Sequence, residues 1–518
     1  MLGLILAMLV ACFDGTIVGT CGPIIVQDLQ GTALYSWMIT MYLLAETVMI
    51  PIAGKLSDLY GRKPLFLIGL GIFVAGSVLA GLSTSMEMFI ICRALQGLGG
   101  GILIPVATAS VADLYSPRDR ARMQGILGAV FGIGSGIGPL IGGYITEYIS
   151  WHWVFYINLP LAAMAFLLTI KKFPNPNLLE KPVIDYLGIA LLSAFLIDLL
   201  LLFQWGGNDF PWFSVQTGVM VAIGVVLLLV FVKQEQRAVE PILSPGLIHN
   251  RTVVMAAIFM FIFGVGMMGA MTYSAMFAVT ILMDGDTLKA AIYTLPLVVG
   301  MMITATVSGQ TVNRIGYKPW LIVGPIITSL SMYLMSKLSV DSTLTYFAMC
   351  LFVLGVGLGC MMAVIMTAVQ NSSTTKEMGM TTSAVNLIRS VGATIGTAIF
   401  AVVISSKITE ELRDNLSEYV FDNVSHSTGV LDDLVAALGH IAAGDYSQPY
   451  LAIAQEANEI LLSFANSVDF SFLAGAVIMI TLVVVGIFFK VQTPPEEDPV
   501  IYSGEDIPSE EAASEESL

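Results

Sequence analysis

The sequence predicts an all-α membrane protein of fourteen transmembrane helices, arranged as six, two and six, with both termini cytoplasmic. Three observations lead there. Of 518 residues 56% are apolar and only 12% charged, with a mean hydropathy of +0.84, outside the range of soluble domains. A polar eleven-residue string occurs twice, GKLSDLYGRKP at 54–64 and GQTVNRIGYKP at 309–319. The basic residues, finally, fall on one side of the spans.

Crossing ~30 Å of hydrocarbon takes roughly 20 apolar residues in a helix. Such stretches stand at about 2–22, 36–54, 65–83, 88–112, 123–146 and 153–170, a first bundle. Two more, at about 186–204 and 214–232, interrupt the pattern, and six follow at about 252–276, 290–309, 320–337, 345–368, 380–404 and 468–489. No basic residue precedes Lys55, so the first run lacks the charged start of a signal peptide and is expected to be a retained helix. The predicted units are a first bundle at 1–172, a two-helix linker with its loops at 173–250, a second bundle at 251–490 and an acidic, disordered cytoplasmic tail at 491–518. The second bundle includes a long outside segment, 405–467. Within it, residues 431–442 put Leu431, Leu434, Val435 and Leu438 on one face of a short amphipathic helix. That segment either gates the outer mouth or is an insertion without consequence.

With both termini inside, the inner loops and flanks hold 16 of the 22 Lys and Arg, in agreement with the positive-inside rule. Arg93 and Arg389 fall within spans. The net charge of −16 argues against nucleic acid as a partner, although most of the excess lies in the outside segment and the tail. All five cysteines sit in apolar runs without metal-ligand spacing. There is no GxxxxGK[ST] nucleotide loop and no catalytic Ser/His or metal cluster, so neither ATP-driven work, enzyme activity, a metal nor a cofactor is expected.

The string at 54–64 is too polar for hydrocarbon and is predicted to be the loop joining the second and third spans. In its copy Gly54 matches Gly309, Asp58 Asn313, Gly61 Gly316, Lys63 Lys318 and Pro64 Pro319. Glycine patterns at 97–99 and 134–138 return at 355–357 and 392–396, both at an offset of 258. The chain is thus a parallel duplication. A GxLxDxxGRK loop with a degraded second copy resembles the signature of the major facilitator superfamily, and six plus two plus six spans is the plan of its fourteen-helix drug/proton antiporters of the EmrB/QacA type. The resemblance implies the major facilitator fold. It also assigns Gly54, Asp58, Gly61, Arg62 and Lys63 to a cytoplasmic gate that latches the halves together. Basic residues that only set topology would require neither Asp58, Gly61 nor the repeat.

Asp14 lies inside the first span, where an ionised carboxylate costs roughly 2.5–3.5 kcal/mol. Its surroundings, FDGTIVGTCGP, are similar to the family pattern LDxTIVNVALP at Asp14, Thr16, Ile17, Val18 and Pro23, and depart from it at 19–22. The resemblance makes Asp14 the proton or substrate carboxylate; the alternative is a permanent ion pair. Arg93 and Gln96, in RALQG, match the family's RxxQG on the fourth span. At 1.5 Å per residue Asp14 and Arg93 reach nearly one level in the outer half of the membrane. Glu46, in the second span, has no family counterpart. If Asp14, Glu46 and Arg93 share one pocket, two carboxylates face one guanidinium and one of them holds a proton. Either acid fits that part, and Glu46 as a plain cation contact fits as well.

The fifth span carries Gly134, Gly138, Pro139, Gly142 and Gly143, which resemble the antiporter motif. They predict a kinked hinge whose glycines at 134, 138 and 142 pack against the other half. Trp151, Trp153, Phe155 and Tyr156 are expected to anchor the sixth span at the interface. Tyr273, in a stretch rich in Phe and Met, and Gln96 are predicted to line a cavity. Asp198 and Arg389 receive no partner at this stage. The resemblance as a whole implies proton-coupled export of lipophilic, cationic compounds across the cell membrane by a monomer in contact with lipid, drawing on the proton gradient and no cofactor. Export of one dedicated endogenous metabolite and a transport-inactive sensor are the rival readings.

Overall fold

The computed structural model describes residues 1–31, 34–173, 183–207, 210–283, 287–416 and 456–492, and among these there are helices and no strands. The first bundle comprises α1 (Leu2–Asp28), α2 (Tyr35–Tyr60), α3 (Arg62–Gly81), α4 (Met86–Leu114), α5 (Pro117–Tyr148), α6 (His152–Tyr156) and α7 (Asn158–Lys172). The inserted pair is α8 (Tyr186–Trp205) and α9 (Val215–Glu235). The second bundle comprises α10 (Arg251–Phe277), α11 (Thr287–Ile315), α12 (Tyr317–Met335), α13 (Leu344–Gln370), α14 (Met378–Asn415) and α15 (Ala457–Phe488). Among the described residues thirteen helices are long and apolar enough to cross a membrane, α6 and α7 together forming one of them. The remaining predicted span is α12. It opens Tyr-Lys-Pro-Trp and carries Pro325, Thr328 and Ser331, too polar for that class, yet it packs between α13 and α15.

Four local departures from the sequence reading have clear causes. The polar strings are not loops: α2 continues through Tyr60 and α3 begins at Arg62, leaving only Gly61 outside a helix. Gly61 has φ +85° and its copy Gly316 φ +90°, a left-handed conformation that glycine adopts without steric cost. The sixth span is broken at Ile157, three residues before Pro160, which lacks the N–H that a continuous helix would need. Of the four aromatic anchors, Trp151 and Phe155 are buried, stacked edge-on with Phe89, and the Trp151 indole donates to Asp28; Trp153 remains exposed. Finally, α14 and α15 reach well into the expected outside segment. Ile408 and Leu412 of α14 belong to the same buried cluster as Ile460 and Phe464 of α15. The predicted amphipathic helix at 431–442 and the acidic segment after Gln492 lie outside the described residues.

Apolar packing follows the duplication. One buried cluster of α10–α15 holds the second bundle, including Phe259, Phe263, Met267 and Phe347, and two clusters hold the first. A fourth joins Val48 and Ile52 of α2, Leu192 and Leu196 of α8 and Leu387 of α14. The inserted pair therefore lies along the seam between the bundles.

Candidate functional site

Asp14 is fully buried, and both its oxygens are engaged. Oδ2 accepts from Arg93 Nη1 at 2.5 Å, while Oδ1 accepts from Gln96 Nε2 at 2.6 Å and Asn158 Nδ2 at 3.0 Å. Arg93 Nη1 also donates to Gln96 Oε1 at 2.6 Å. Gln96 Nε2 and Asn158 Nδ2 both reach Ser77 Oγ, at 3.2 and 3.1 Å, and Ser77 Oγ donates to the Phe155 carbonyl at 2.9 Å. The Arg93 guanidinium lies 4.2 Å from the centre of the Tyr42 ring. Asp14, Ser77, Arg93, Gln96 and Asn158 all expose 1% or less of their surface, so this is a sealed network in which the buried carboxylate and guanidinium are paired with each other, while Arg93 Nε and Asn158 Oδ1 have no hydrogen-bond partner.

The structure thus brings together Asp14, Arg93 and Gln96, from α1 and α4, and adds Ser77 of α3 and Asn158 of α7, which the sequence reading missed. Asn158 had a signal: it is a lone amide beside Pro160 in an otherwise apolar span, and the helix break at Ile157 is what turns it toward Asp14. The second bundle lacks this chemistry. At the offset of 258, Leu351 and Leu354 stand where Arg93 and Gln96 do. Gly392 and Gly396 of α14 pack on α10 as Gly134 and Gly138 of α5 pack on α1. Both replacements are fully buried apolar groups.

Glu46 is not in the sealed network. Its side chain is partly exposed, and among the described residues it makes no hydrogen bond or ion pair. Its strongest opposite charge comes from Arg389, on α14 of the other bundle. The register explains this. α2 and α14 touch where Gly54 meets Ser383 and Gly379, and they run in opposite directions. Glu46 lies eight residues back along α2, ~12 Å, and Arg389 six to ten residues forward along α14, ~9–15 Å. Both therefore occupy one level of the seam. The Arg389 guanidinium is buried, 5.7 Å from the Phe131 ring of α5, and its Nε has no partner. Tyr273, the other cavity candidate, is half-buried; it stacks on Phe400 at 6.0 Å and donates to the Thr397 carbonyl at 3.4 Å. Asp198 of α8 faces Gly224 of α9, within the inserted pair.

At the end carrying the basic residues the halves are joined. Asp58 Oδ1 accepts from Gly379 N at 2.9 Å and Oδ2 from Met380 N at 2.7 Å. These are orphan donors of the first turn of α14, where the helix dipole also favours a carboxylate. Arg62 holds Asp58 at 2.7 Å and Asp113 at 2.7 Å, and donates to Ser57. Lys63 donates to the Phe173 carbonyl at 3.1 Å, and Gln124 to Gln370 across the seam at 3.1 Å. Gly54 leaves no room for a side chain, because a β-carbon there would meet Ser383.

The glycines of α5 do two jobs, and the assignment differs from the predicted one. A β-carbon at Gly134, Gly138 or Gly142 would strike Cys12, Thr16 or Ile17 of α1, in the same half. The face toward the other half is instead Gly125, Gly128, Gly132, Gly136 and Gly143, set against Gly309, Ala305, Met301, Val298 and Leu288 of α11. Two residues separate Gly134 from Gly136, about 200° around a helix, so α5 is pressed between α1 and α11. It runs unbroken through Pro139, whose missing N–H leaves the Ser135 carbonyl without its helical donor.

Comparisons with known proteins agree with this architecture. The family model described as Major Facilitator Superfamily matches residues 4–397. The chain is 37% identical over 418 residues to the multidrug transporter protein MdtP of Bacillus subtilis (strain 168), covering 81% of this chain and 77% of that one. It is 32% identical over 488 residues to multidrug resistance protein 3 of the same organism, with 94% of each covered. The crystal structure of the human organic anion transporter MFSD10 (TETRAN) superposes with a TM-score of 0.63 over 93% of this chain and 98% of that one, at 13% identity.

Proposed function

Because the chain belongs to the major facilitator superfamily, whose members are transporters, and is a multi-pass protein of the cell membrane, we propose that it exports lipophilic, cationic compounds in exchange for protons, with Glu46 as the coupling acid. One observation carries this reading: Glu46 is an acid within a membrane span, partly exposed at the seam between the halves and without a partner, whereas both oxygens of Asp14 are engaged. An intramembrane ionisable group facing a seam is a functional candidate, and the two relatives named as multidrug proteins favour a broad substrate range.

In the proposed cycle the proton and the cation compete for Glu46. A proton arriving while the basic-residue end is shut neutralises the carboxylate. When that end opens, the proton leaves and a cationic compound takes its place. Arg389 offsets the Glu46 charge whenever neither is bound. Asp14, tied into its network, holds α1, α3, α4 and α7 together. Exchange of one proton for one monovalent cation is electroneutral; each extra proton adds about 2.3 kcal/mol per 100 mV. The protein acts as a monomer and draws on the proton gradient alone.

The test is efflux of a monovalent and a divalent cationic dye from proteoliposomes under an imposed pH gradient, comparing the natural sequence with Glu46→Gln and Asp14→Asn. Glu46→Gln, which mimics the protonated acid, is expected to abolish gradient-driven transport and to weaken counterflow of both cationic dyes. Unchanged gradient dependence in Glu46→Gln refutes the assignment. No dye movement in the folded natural protein points instead to a dedicated metabolite exporter.

A further inference from the structure

The end of the molecule that is shut carries a groove of about 820 Å³ lined by Pro117, Arg118, Asp119 and Arg122 of α5 and by Gly309, Gln310, Asn313, Arg314 and Asn371 of the second bundle. Three guanidinium groups face one carboxylate, and that carboxylate, Asp119, is engaged by Ser116 at 2.6 Å. Among the described residues Arg118, Arg122 and Arg314 form no ion pair, and both they and Asn313 are exposed. The positive end of α5, with Pro117 in its first turn, adds to the field. The groove is built to take an anion, and it is built from both halves.

We propose that its occupant is the chain's own acidic segment, residues 493–518. The segment has nine acids and no base. Its point of departure lies beside the groove. Gln492 Oε1 accepts from Arg251 N at 3.1 Å, and Gln492 N donates to Thr252 Oγ1 at 2.8 Å. The adjoining Asn250 donates to the Ser372 carbonyl at 2.9 Å, next to Asn371 of the groove wall. A random coil the length of this segment, 26 residues, has an r.m.s. reach of about 25–30 Å, and tethering holds charges at an effective concentration of order millimolar.

Function follows from the groove's dual construction. Opening this end must separate Arg118 and Arg122 from Arg314. An occupant paired with both sides binds only the closed form and shifts the population toward it. The pairing is released by high ionic strength or by loss of the segment's charge. This holds whatever compound the protein exports.

The experiment places a benzophenone photocrosslinker at Ile507 of the full chain in nanodiscs and maps the crosslinks by mass spectrometry. The expected products join the segment to peptides containing residues 118–122 and 310–314. Their yield is expected to fall roughly fivefold or more in Arg118→Gln/Arg122→Gln/Arg314→Gln, the loss due to three exposed ion pairs. The same fall is expected when salt rises from about 0.1 to 1 M and the Debye length shrinks from ~10 to ~3 Å. Glu505→Gln/Asp506→Asn/Glu510→Gln/Glu511→Gln, which leaves every described helix untouched, should reproduce it. Crosslinks that map elsewhere, or that ignore both charge neutralisations, overturn the proposal. So does a groove crosslink present in zwitterionic nanodiscs and abolished by anionic lipid, which assigns the groove to lipid headgroups. None of these readouts involves transport, so they stand or fall apart from the dye experiment.

Discussion

Replacing Asp58 by Asn should open the end that the structure shows closed. Asp58 joins the halves through two backbone N–H groups of α14 at 2.9 and 2.7 Å, and its side chain is only 6% exposed. Hydrogen bonds to a charged group contribute roughly 1.5–3 kcal/mol each, neutral ones roughly 0.5–1.5. Asparagine offers one acceptor oxygen for the two donors and no charge to the helix terminus, a further loss of about 0.3–1 kcal/mol. Arg62 keeps Asp113 as a partner, so its charge is not stranded. The closed form should therefore lose about 2–6 kcal/mol relative to the open form, a shift of roughly 30-fold to 25,000-fold in their ratio. Spin labels on Ser116→Cys and Lys318→Cys, both exposed and one in each half, report the separation by pulsed electron resonance. The five native cysteines are buried. Asp58→Asn should populate a long-distance component that the natural sequence lacks. An unchanged distance distribution, in a protein of unchanged fold, would mean that the contacts at Gly379 and Met380 do not hold this end.

Three further outcomes are expected. Asn158→Leu removes one donor to Asp14 and should lower stability by about 1–3 kcal/mol, seen as a lower melting temperature in detergent; an unaltered melting curve would contradict the sealed network. Gly138→Ala should destabilise the fold by about 1–3 kcal/mol through its clash with α1, whereas Gly125→Ala, whose β-carbon would stand 2.6 Å from the Ala305 carbonyl of the other half, should leave melting unchanged and lengthen the Ser116–Lys318 distance. The reverse pattern would refute the assignment of the two glycine faces. Arg389→Gln leaves Glu46 uncompensated and should weaken gradient-driven dye transport about tenfold or more, with the pH profile displaced; a natural pH profile in this variant would separate Arg389 from Glu46.

The sequence by itself determined the helices, their order and the duplication, because hydrocarbon thickness and helix rise are properties of the chain alone; that the polar strings are helix with a single left-handed glycine, Gly61 or Gly316, came from the structure. The sequence also placed Asp14 and Arg93 at one depth, since depth is residue number multiplied by a fixed rise. Tertiary structure decided what depth cannot: direction around each helix and the identity of the neighbour. Glu46 lies in a span between helices that both carry charges, and only packing turned it to Arg389 and the seam, away from the Asp14 network. Asn158 reached Asp14 because the sixth span breaks. The partner of Asp58 is a helix terminus more than 300 residues away, and which glycine stripe of α5 meets the other half depends on where α1 and α11 lie. Hydropathy is a one-dimensional property, and these contacts depend on azimuth, which only the packed bundle fixes.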